Sequence, residues 1–400
     1  MNDTPLRILI CAGEVSGDMH AAALMRALRE RLPRPAVFRG FGGDAMRAEG
    51  AELLYHTDRT AIIGITPVIK NLSFLLGMSR RMKREILDWK PDLVLTVDYP
   101  GMNLRLAKFA HGRGFKTAHY ICPQVWAWHR SRIPKIAKML DLLLCIFPFE
   151  PALFNDTPLR PLFTGHPLVD RAAETRAEQP PAPLPWQGRH RIALLPGSRT
   201  SEITRILPRL LAAAALLEQR LGGDCSFIIP APGRNMRTLG EAVAAAAPVR
   251  PQRLAFVDGQ ARQVMLQAHA AAVASGTATL EACLMRCPTV LVYTASFVTY
   301  LIARFVIKGV NYLGLANIIA GKEVMPELLQ YDFTPERLSD QLHGYLTNPA
   351  ARAQAVTELD ATNALLGSGN ASGRAADAMI AAGLFGQVTC ETFRTAPRLF

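Results

Sequence analysis

The chain has 400 residues, too many for one ordinary domain and enough for two or three. Half of the residues are apolar and only 20% are charged, so the chain can bury large cores, which excludes disorder and coiled coil. With 45 Lys+Arg against 33 Asp+Glu the formal charge is +12, which calls for an anionic partner: nucleic acid, a phospholipid surface or a phosphorylated substrate.

The first residues, Met-Asn-Asp-Thr-Pro-Leu-Arg and a short apolar run ending at Glu14, are too short and too soon charged for a signal peptide. Arg7–Ala12 reads as a buried strand and His20–Arg31 as the helix after it. Asp92–Asp98, Thr117–Cys122, Leu142–Phe147 and the short Pro161–Phe163 follow as strands, with basic amphipathic segments beside them. Glu174–Gly188 carries Pro180, Pro181, Pro183 and Pro185 without apolar periodicity and reads as a linker. Alternation then restarts with strands at Ile192–Leu195, Ser226–Ile229, Leu254–Val257, Ala271–Ser275 and Thr289–Val292. The apolar stretch Cys287–Ala303 falls short of the roughly 20 apolar residues of a spanning helix and reads as a buried strand followed by a helix. From Thr334-Pro335-Glu336 the tail is helical, interrupted at Gly367–Gly373.

Strands alternating with helices predict α/β architecture with parallel sheets: two doubly wound domains facing a cleft, with a helical C-terminal segment. The expected division is residues 1–173, a linker at 174–188, a second domain at 189–345, C-terminal helices at 346–385 that pack back or are exchanged in a dimer, and a tail at 386–400. The seven cysteines show no CxxC pair and no zinc spacing, so they read as reduced and buried.

In open parallel sheets ligands bind beyond the carboxyl ends of the strands, so the chemistry belongs to the residues after each strand. Gly13-Glu14-Val15-Ser16-Gly17-Asp18 follows the first strand. It is either a capping loop, with Ser16 or Asp18 on the next helix, or a functional loop with two carboxylates and a hydroxyl. Asp98 ends an apolar strand, where poor solvation raises a carboxyl pKa and suits a general base; a turn aspartate is the plain alternative. Thr96, in that strand, is expected to face a neighbouring helix. Tyr120–Trp128 concentrates aromatic residues, either as core or as a stacking platform. His166 is held between Gly165 and Pro167.

In the second block, Pro196-Gly197-Ser198-Arg199-Thr200-Ser201-Glu202 runs from a strand into a helix. Its backbone N–H groups, the helix dipole and Arg199 can hold a phosphate. Ser275-Gly276-Thr277-Ala278-Thr279-Leu280-Glu281 repeats the arrangement, with Glu281 able to accept from a ribose hydroxyl. Each loop alone can be ordinary capping; two of them in one domain favour a nucleotide diphosphate. GxGxxG, the P-loop, DxD, HExxH and GxSxG are all missing, so the expectation is no metal and no cofactor, with the leaving diphosphate stabilised by Arg199 and a helix N-terminus.

The positive charge has an address. Residues 99–140 contain no Asp or Glu but hold Arg105, Lys108, Arg113, Lys116, Arg130, Arg132, Lys135 and Lys138. The apolar Ile62–Met78 runs into Arg80, Arg81, Lys83 and Arg84, as in an interfacial segment on anionic lipid or a buried helix with a basic end. No nucleic-acid-binding signature accompanies the charge.

Taken together these motifs resemble the lipid-A-disaccharide synthase family over roughly residues 7–383. The carriers are Ala12–Asp18, Asp98-Tyr99-Pro100, Pro123–Trp128, Gly165–Pro167, Leu195–Arg199, Ser275–Glu281 and Asn317–Gln330. The resemblance implies a GT-B fold and a metal-independent, inverting glycosyltransferase. It would move 2,3-diacylglucosamine from its UDP derivative to 2,3-diacylglucosamine 1-phosphate, giving the β(1→6) disaccharide 1-phosphate and UDP. Asp98 would be the base; Glu14, Ser16, Asp18 and His20 would shape the acceptor side. Ser198, Arg199, Ser275, Gly276, Thr277, Thr279, Glu281, Asn317 and Gln330 would hold the UDP-sugar. The implied setting is the inner face of a Gram-negative inner membrane, on an anionic surface, as a cytoplasmic peripheral protein and a homodimer exchanging C-terminal segments. Met102, Ala316 and His20 depart from the family pattern and bear on the shape of the acceptor pocket. The rival is another UDP-sugar enzyme on the same fold, such as a UDP-GlcNAc 2-epimerase.

Overall fold

The computed structural model describes residues 4–60, 72–127, 130–179, 181, 183–295 and 311–385. Two compact units divide the chain: residues 1–167 with 370–400, and residues 168–369.

The first unit holds β1 (Leu6–Ala12), α1 (Val15–Arg31), β2 (Ala36–Gly42), α2 (Asp44–Ala48), β3 (Glu52–His56), α3 (Thr57–Thr60), α4 (Leu72–Trp89) and β4 (Leu93–Val97). It continues with α5 (Pro100–His111), β5 (Lys116–Tyr120), α6 (Ile133–Ala137), β6 (Leu142–Cys145) and β7 (Leu162–Phe163). Its seven strands lie in the order β3-β2-β1-β4-β5-β6-β7, paired parallel. The reversal beside β1 is the doubly wound signature. β1 and β4 read as continuous apolar runs because both of their faces are covered; Ile8, Leu9, Ile10, Val94 and Leu95 are fully buried. On one face Met78, Met82 and Ile86 of α4 meet Met102 and Leu106 of α5.

The second unit runs α7 (Leu168–Ala177), β8 (His190–Leu195), α8 (Thr200–Arg220), β9 (Cys225–Ala231), α9 (Arg234–Ala246), β10 (Leu254–Asp258), α10 (Ala261–Gln267), β11 (Ala270–Ala274) and α11 (Thr277–Leu284). After β12 (Thr289–Tyr293) come α12 (Leu315–Ala320), β13 (Glu327–Leu329), α13 (Pro335–Thr347) and α14 (Pro349–Leu365). Its six parallel strands take the order β10-β9-β8-β11-β12-β13, again reversing beside the first strand. The apolar stripe of α8, from Ile203 to Leu217, packs on β8, β9 and β11. Thr334 caps α13 by accepting from Arg337 N at 3.3 Å, and Pro335 sits in the first turn.

The units exchange chain at two points. The crossover at Pro167/Leu168 precedes α7, which packs on α10 and α11, so it lies upstream of the Pro-rich stretch. At Gly369/Asn370 the chain returns, and α15 (Ala371–Ala381) packs on α1 with Arg31 Nε 3.1 Å from Asp377. Thr96 is buried, but its hydroxyl turns to the neighbouring strand, donating to Ala118 O and lying 2.7 Å from His119 Nδ1. The cysteines at 11, 122, 145, 225, 283 and 287 are buried free thiols; Cys390 lies outside the described residues, as do Trp128 and residues 62–71 and 296–303 of the two apolar segments.

Candidate functional site

In the second unit the ends of β8, β9, β10 and β11 surround a cavity of about 380 Å³ whose polar lining includes Ser198, Arg199, Ser275, Thr277 and Glu281, with Gly276 beside them. Gly197 and Gly276 are what allow these turns. Gly197 has φ +111°, and a Cβ there would stand 2.4 Å from Glu202 Oε2. Gly276, at φ +151°, precedes α11 and leaves open space where a side chain would be.

The Gly197–Glu202 turn differs from the expectation in one respect. Glu202 Oε2 accepts from Ser198 N at 2.9 Å and Arg199 N at 3.2 Å, and Oε1 lies 3.0 Å from Arg199 Nη1. Two of the backbone donors expected to meet a phosphate, Ser198 N and Arg199 N, are therefore already satisfied by the third residue of α8, a capping box. The Arg199 side chain is 71% exposed and lines the cavity. Glu281 is half-buried; burial pushes its carboxyl upward while Arg262, 3.5 Å away, and Arg171 hold it back.

Three of the nine donor-side residues lie apart from that cavity. Thr279 is fully buried and its hydroxyl donates to Gly276 O at 2.8 Å, so it fixes the turn from beneath. Asn317 is also fully buried; it donates to Met325 O and Glu327 Oε1 and accepts from Val324 N and Met325 N, all within 2.9 Å. Its polar atoms are spent bracing the approach to β13. Gln330, at φ +53°, follows β13, where its Oε1 accepts from Thr294 Oγ1 at 3.2 Å. It therefore ends a strand on the same sheet edge as Ser275, two strands over.

In the first unit the ends of β1 and β4 bring Glu14 and Asp98 together. Burial pushes both carboxyls above their ordinary values; the Asp98 charge raises Glu14 further, and a bond from Tyr99 N partly restrains Asp98. Asp98 and Tyr99 both sit in the left-handed region, at φ 49° and 48°. The turn is held by Asp98 N donating to Tyr120 O at 2.9 Å and by Asn103, whose buried Nδ2 donates to Cys11 O, Val97 O and Asp98 O at 3.1, 3.1 and 2.8 Å. Gly13 is required because a Cβ would stand 2.2 Å from the Tyr99 ring.

Of the remaining acceptor-side residues, Ser16 is exposed on the first turn of α1, and His20 is close enough to His166 to help burial drive that imidazole down to about 3. Neither Ser16 nor Asp18 caps α1, which begins one residue after Glu14. Asp18 instead accepts from Gly43 N at 2.6 Å, Ala45 N at 3.0 Å and Met46 N at 3.1 Å, capping α2 from a distant part of the chain. Trp126 belongs to the core, edge-on to Phe147 and Phe149.

Sequence reasoning missed Glu202, Arg262 and Asn103. The capping-box spacing from Arg199 to Glu202 carried a signal for the first; the other two depend on tertiary contacts. It also missed a buried grouping of Cys122, Cys145 and Glu150 whose ligand-type atoms lie within 4.8 Å of one another. Glu150 accepts from Trp126 Nε1, Ile146 N and Phe147 N, and burial lifts its carboxyl to about 8 and both thiols upward. These atoms form an internal network whose acceptors are already used, a poor fit to a metal.

A family model described as lipid-A-disaccharide synthetase matches residues 8–382. The lipid-A-disaccharide synthase of Burkholderia lata is 38% identical over 379 residues, covering 94% of this chain and 96% of that one. Among solved structures, the glycotransferase of kitacinnamycin superposes with TM-score 0.64 at 17% identity, covering 95% and 99% of the two chains. UDP-GlcNAc 2-epimerase from Neisseria meningitidis gives 0.60 at 11%, covering 95% and 100%. At such identities the structures speak to the fold alone, which is GT-B.

Proposed function

The chain belongs to the lipid-A-disaccharide synthetase family, which makes it a glycosyltransferase of lipid A and lipopolysaccharide biosynthesis using a UDP-sugar donor and a lipid acceptor; from that premise we propose how its residues divide the reaction. The donor is UDP-2,3-diacylglucosamine and the acceptor 2,3-diacylglucosamine 1-phosphate. Asp98 takes the proton of the acceptor 6-hydroxyl as that oxygen bonds to the donor's anomeric carbon. The bond from that carbon to the diphosphate breaks on the opposite face, so the product is inverted and UDP departs. The observation that carries this division is Asp98 itself: a poorly solvated carboxylate at a strand end, fixed by a left-handed turn and three bonds from Asn103.

On the donor side, Arg199 releases Glu202 and turns to the diphosphate, while Ser275 and Thr277 at the start of α11 donate to its oxygens. Glu281 accepts from a ribose hydroxyl, held by Arg262. The cavity's carboxylates, Glu202 and Glu281, already face arginines, which favours charge neutralisation by Arg199 over a divalent ion. Asp18, Thr279 and Asn317 act through the loops they brace; Glu14, Ser16 and His20 line the acceptor side. Gln330 supports the donor from the neighbouring strand.

The acceptor's acyl chains place the enzyme at a bilayer. No helix among the described residues is long and apolar enough to cross one. Leu72 and Leu76 are 48% and 42% exposed at the start of α4, beside a basic run, which supports peripheral binding to the anionic cytoplasmic leaflet. A homodimer exchanging its C-terminal segment is part of the same reading.

The decisive assay supplies both acylated sugars in detergent and follows UDP and disaccharide together. Both products are expected from the wild type, neither from Asp98→Asn, and Asp98→Asn should still bind UDP. UDP release without disaccharide would overturn the acceptor assignment. An epimerised UDP-sugar with no transfer would establish the rival reaction.

A further inference from the structure

A second cavity, of about 330 Å³, lies between α5 and α6, with Pro100 and Gly101 at the start of α5 in its lining. Its floor is apolar: Leu104 and Ile136 are 5% and 1% exposed, and Met139 is half-buried. Its rim is cationic: Arg105, Lys108, Arg132 and Lys135 are exposed and line the same opening. Two helical faces make this pattern. Residues 101, 104, 105 and 108 recur at helical spacing on α5, and 132, 135, 136 and 139 recur through α6 and its flanks. The opposite side of α5, Met102 and Leu106, is used against α4, so the facing residues are left to the cavity.

None of the four cations pairs with a carboxylate among the described residues, and no acidic residue occurs between positions 99 and 140 to neutralise them. Cations grouped without counter-charge repel one another, and an anion relieves that repulsion. Free inorganic phosphate leaves the half-buried Met139 and the aliphatic stems of the rim side chains facing water. An anion carrying an acyl chain satisfies both rim and floor. We propose that this cavity is a binding site for the phosphate and first acyl carbons of an anionic phospholipid of the bilayer. The site rests on the peripheral-membrane reading above and gives it a specific lipid contact; it uses no residue assigned to the donor or acceptor sites.

The test is flotation of the full-length protein with phosphatidylcholine vesicles, with and without phosphatidylglycerol. Arg105→Glu/Lys135→Glu should weaken binding to the anionic vesicles at least about 20-fold, given roughly fivefold for each basic residue near such a surface. Arg34→Glu/Arg250→Glu imposes the same charge change outside the cavity and should cost far less. Gly101→Phe separates shape from charge: a Cβ at Gly101 meets nothing within 4 Å, so the ring can fill the cavity with net charge unchanged. It should also weaken binding, and dihexanoyl phosphatidylglycerol should displace the wild type from vesicles where the same concentration of inorganic phosphate does not. A circular dichroism melt of every variant, compared with the wild type, checks folding of the unit that carries the cavity. Equal losses in the two double variants, or full binding by Gly101→Phe, would overturn the lipid site. Displacement by inorganic phosphate would also overturn it, in favour of a free-phosphate site. Failure of the wild type to float with anionic vesicles would instead overturn the membrane reading.

Discussion

Asp98, the proposed base, stands on a turn held by backbone geometry and by buried hydrogen bonds. Two consecutive non-glycine residues at positive φ cost on the order of 1–3 kcal/mol each, and the surrounding bonds offset that cost. Asn103 has one orientation available, because turning its amide would aim Oδ1 at the carbonyls of Cys11, Val97 and Asp98. Asn103→Ala therefore releases the Asp98 turn while leaving the donor cavity alone. We expect kcat to fall about 100-fold, the effect of an error of about 1 Å at a reacting group, with the KM for the UDP-sugar within about twofold. A thermal melt separates this from unfolding. The pH profile supplies a second check. Asp98 must be ionised to accept a proton, and burial raises its pKa above the ordinary aspartate value of 3.8. The acid limb of kcat/KM should accordingly fall above that value as pH drops, and an acid limb at or below 3.8 would contradict the assigned base. Asp98 was legible in the sequence because a carboxylate ending an apolar run is conspicuous. Asn103 was not, since nothing in Met-Asn-Leu reveals that a side chain crosses to β1, 92 residues away.

At the scale of the element, the strands that read clearly are those buried on both faces, such as β1, β4 and β9. β2 contains Arg39 and two glycines in Phe-Arg-Gly-Phe-Gly, while β3 mixes Glu52, Tyr55 and His56. As an edge pair with a register shift between Gly40 and Phe41, they lack an uninterrupted apolar run. Polar residues inside a strand also carry consequences for stability. On β5, His119 is fully buried beside Thr96, and burial drives its imidazole down to about 4. The unfolded chain takes up this proton near 6.5 and the native state does not until about 4, so the stability tied to a neutral His119 is lost as pH falls through that window. His119→Asn keeps a polar atom near Thr96 but cannot titrate. Between pH 7 and pH 5 the wild type should therefore lose about 2 kcal/mol more stability than the variant, 1.5 pH units at 1.36 kcal/mol each. Urea unfolding at the two pH values measures the difference, and parallel losses would show that His119 is charged in the native state.

For the whole molecule, the helical tail, expected from the sequence to pack back or to be exchanged in a dimer, is divided between the two units. α13 and α14 close the second sheet, whereas α15 returns to the first unit. The break was visible as Gly367–Gly373, but its destination depends on α15 meeting α1, a contact between residues more than 300 positions apart. Ala371, Ala375, Ala376 and Met379 are fully buried there, and Arg374 Nε donates to Thr164 O at 2.8 Å. Burying one large side chain and several alanines contributes on the order of 5 kcal/mol, comparable to the 5–15 kcal/mol that holds an ordinary domain together. A chain ending at Gly369 should thus lose protection from amide exchange in β1, α1 and β4 while β8, β9 and β11 stay protected. It should retain UDP binding but not glycosyl transfer, because Asp98 and Glu14 belong to the unit that has lost its closing helix. Supplying residues 370–400 as a separate peptide should restore part of the protection. If deletion instead opened both units together, α15 would be holding the molecule as a single cooperative body.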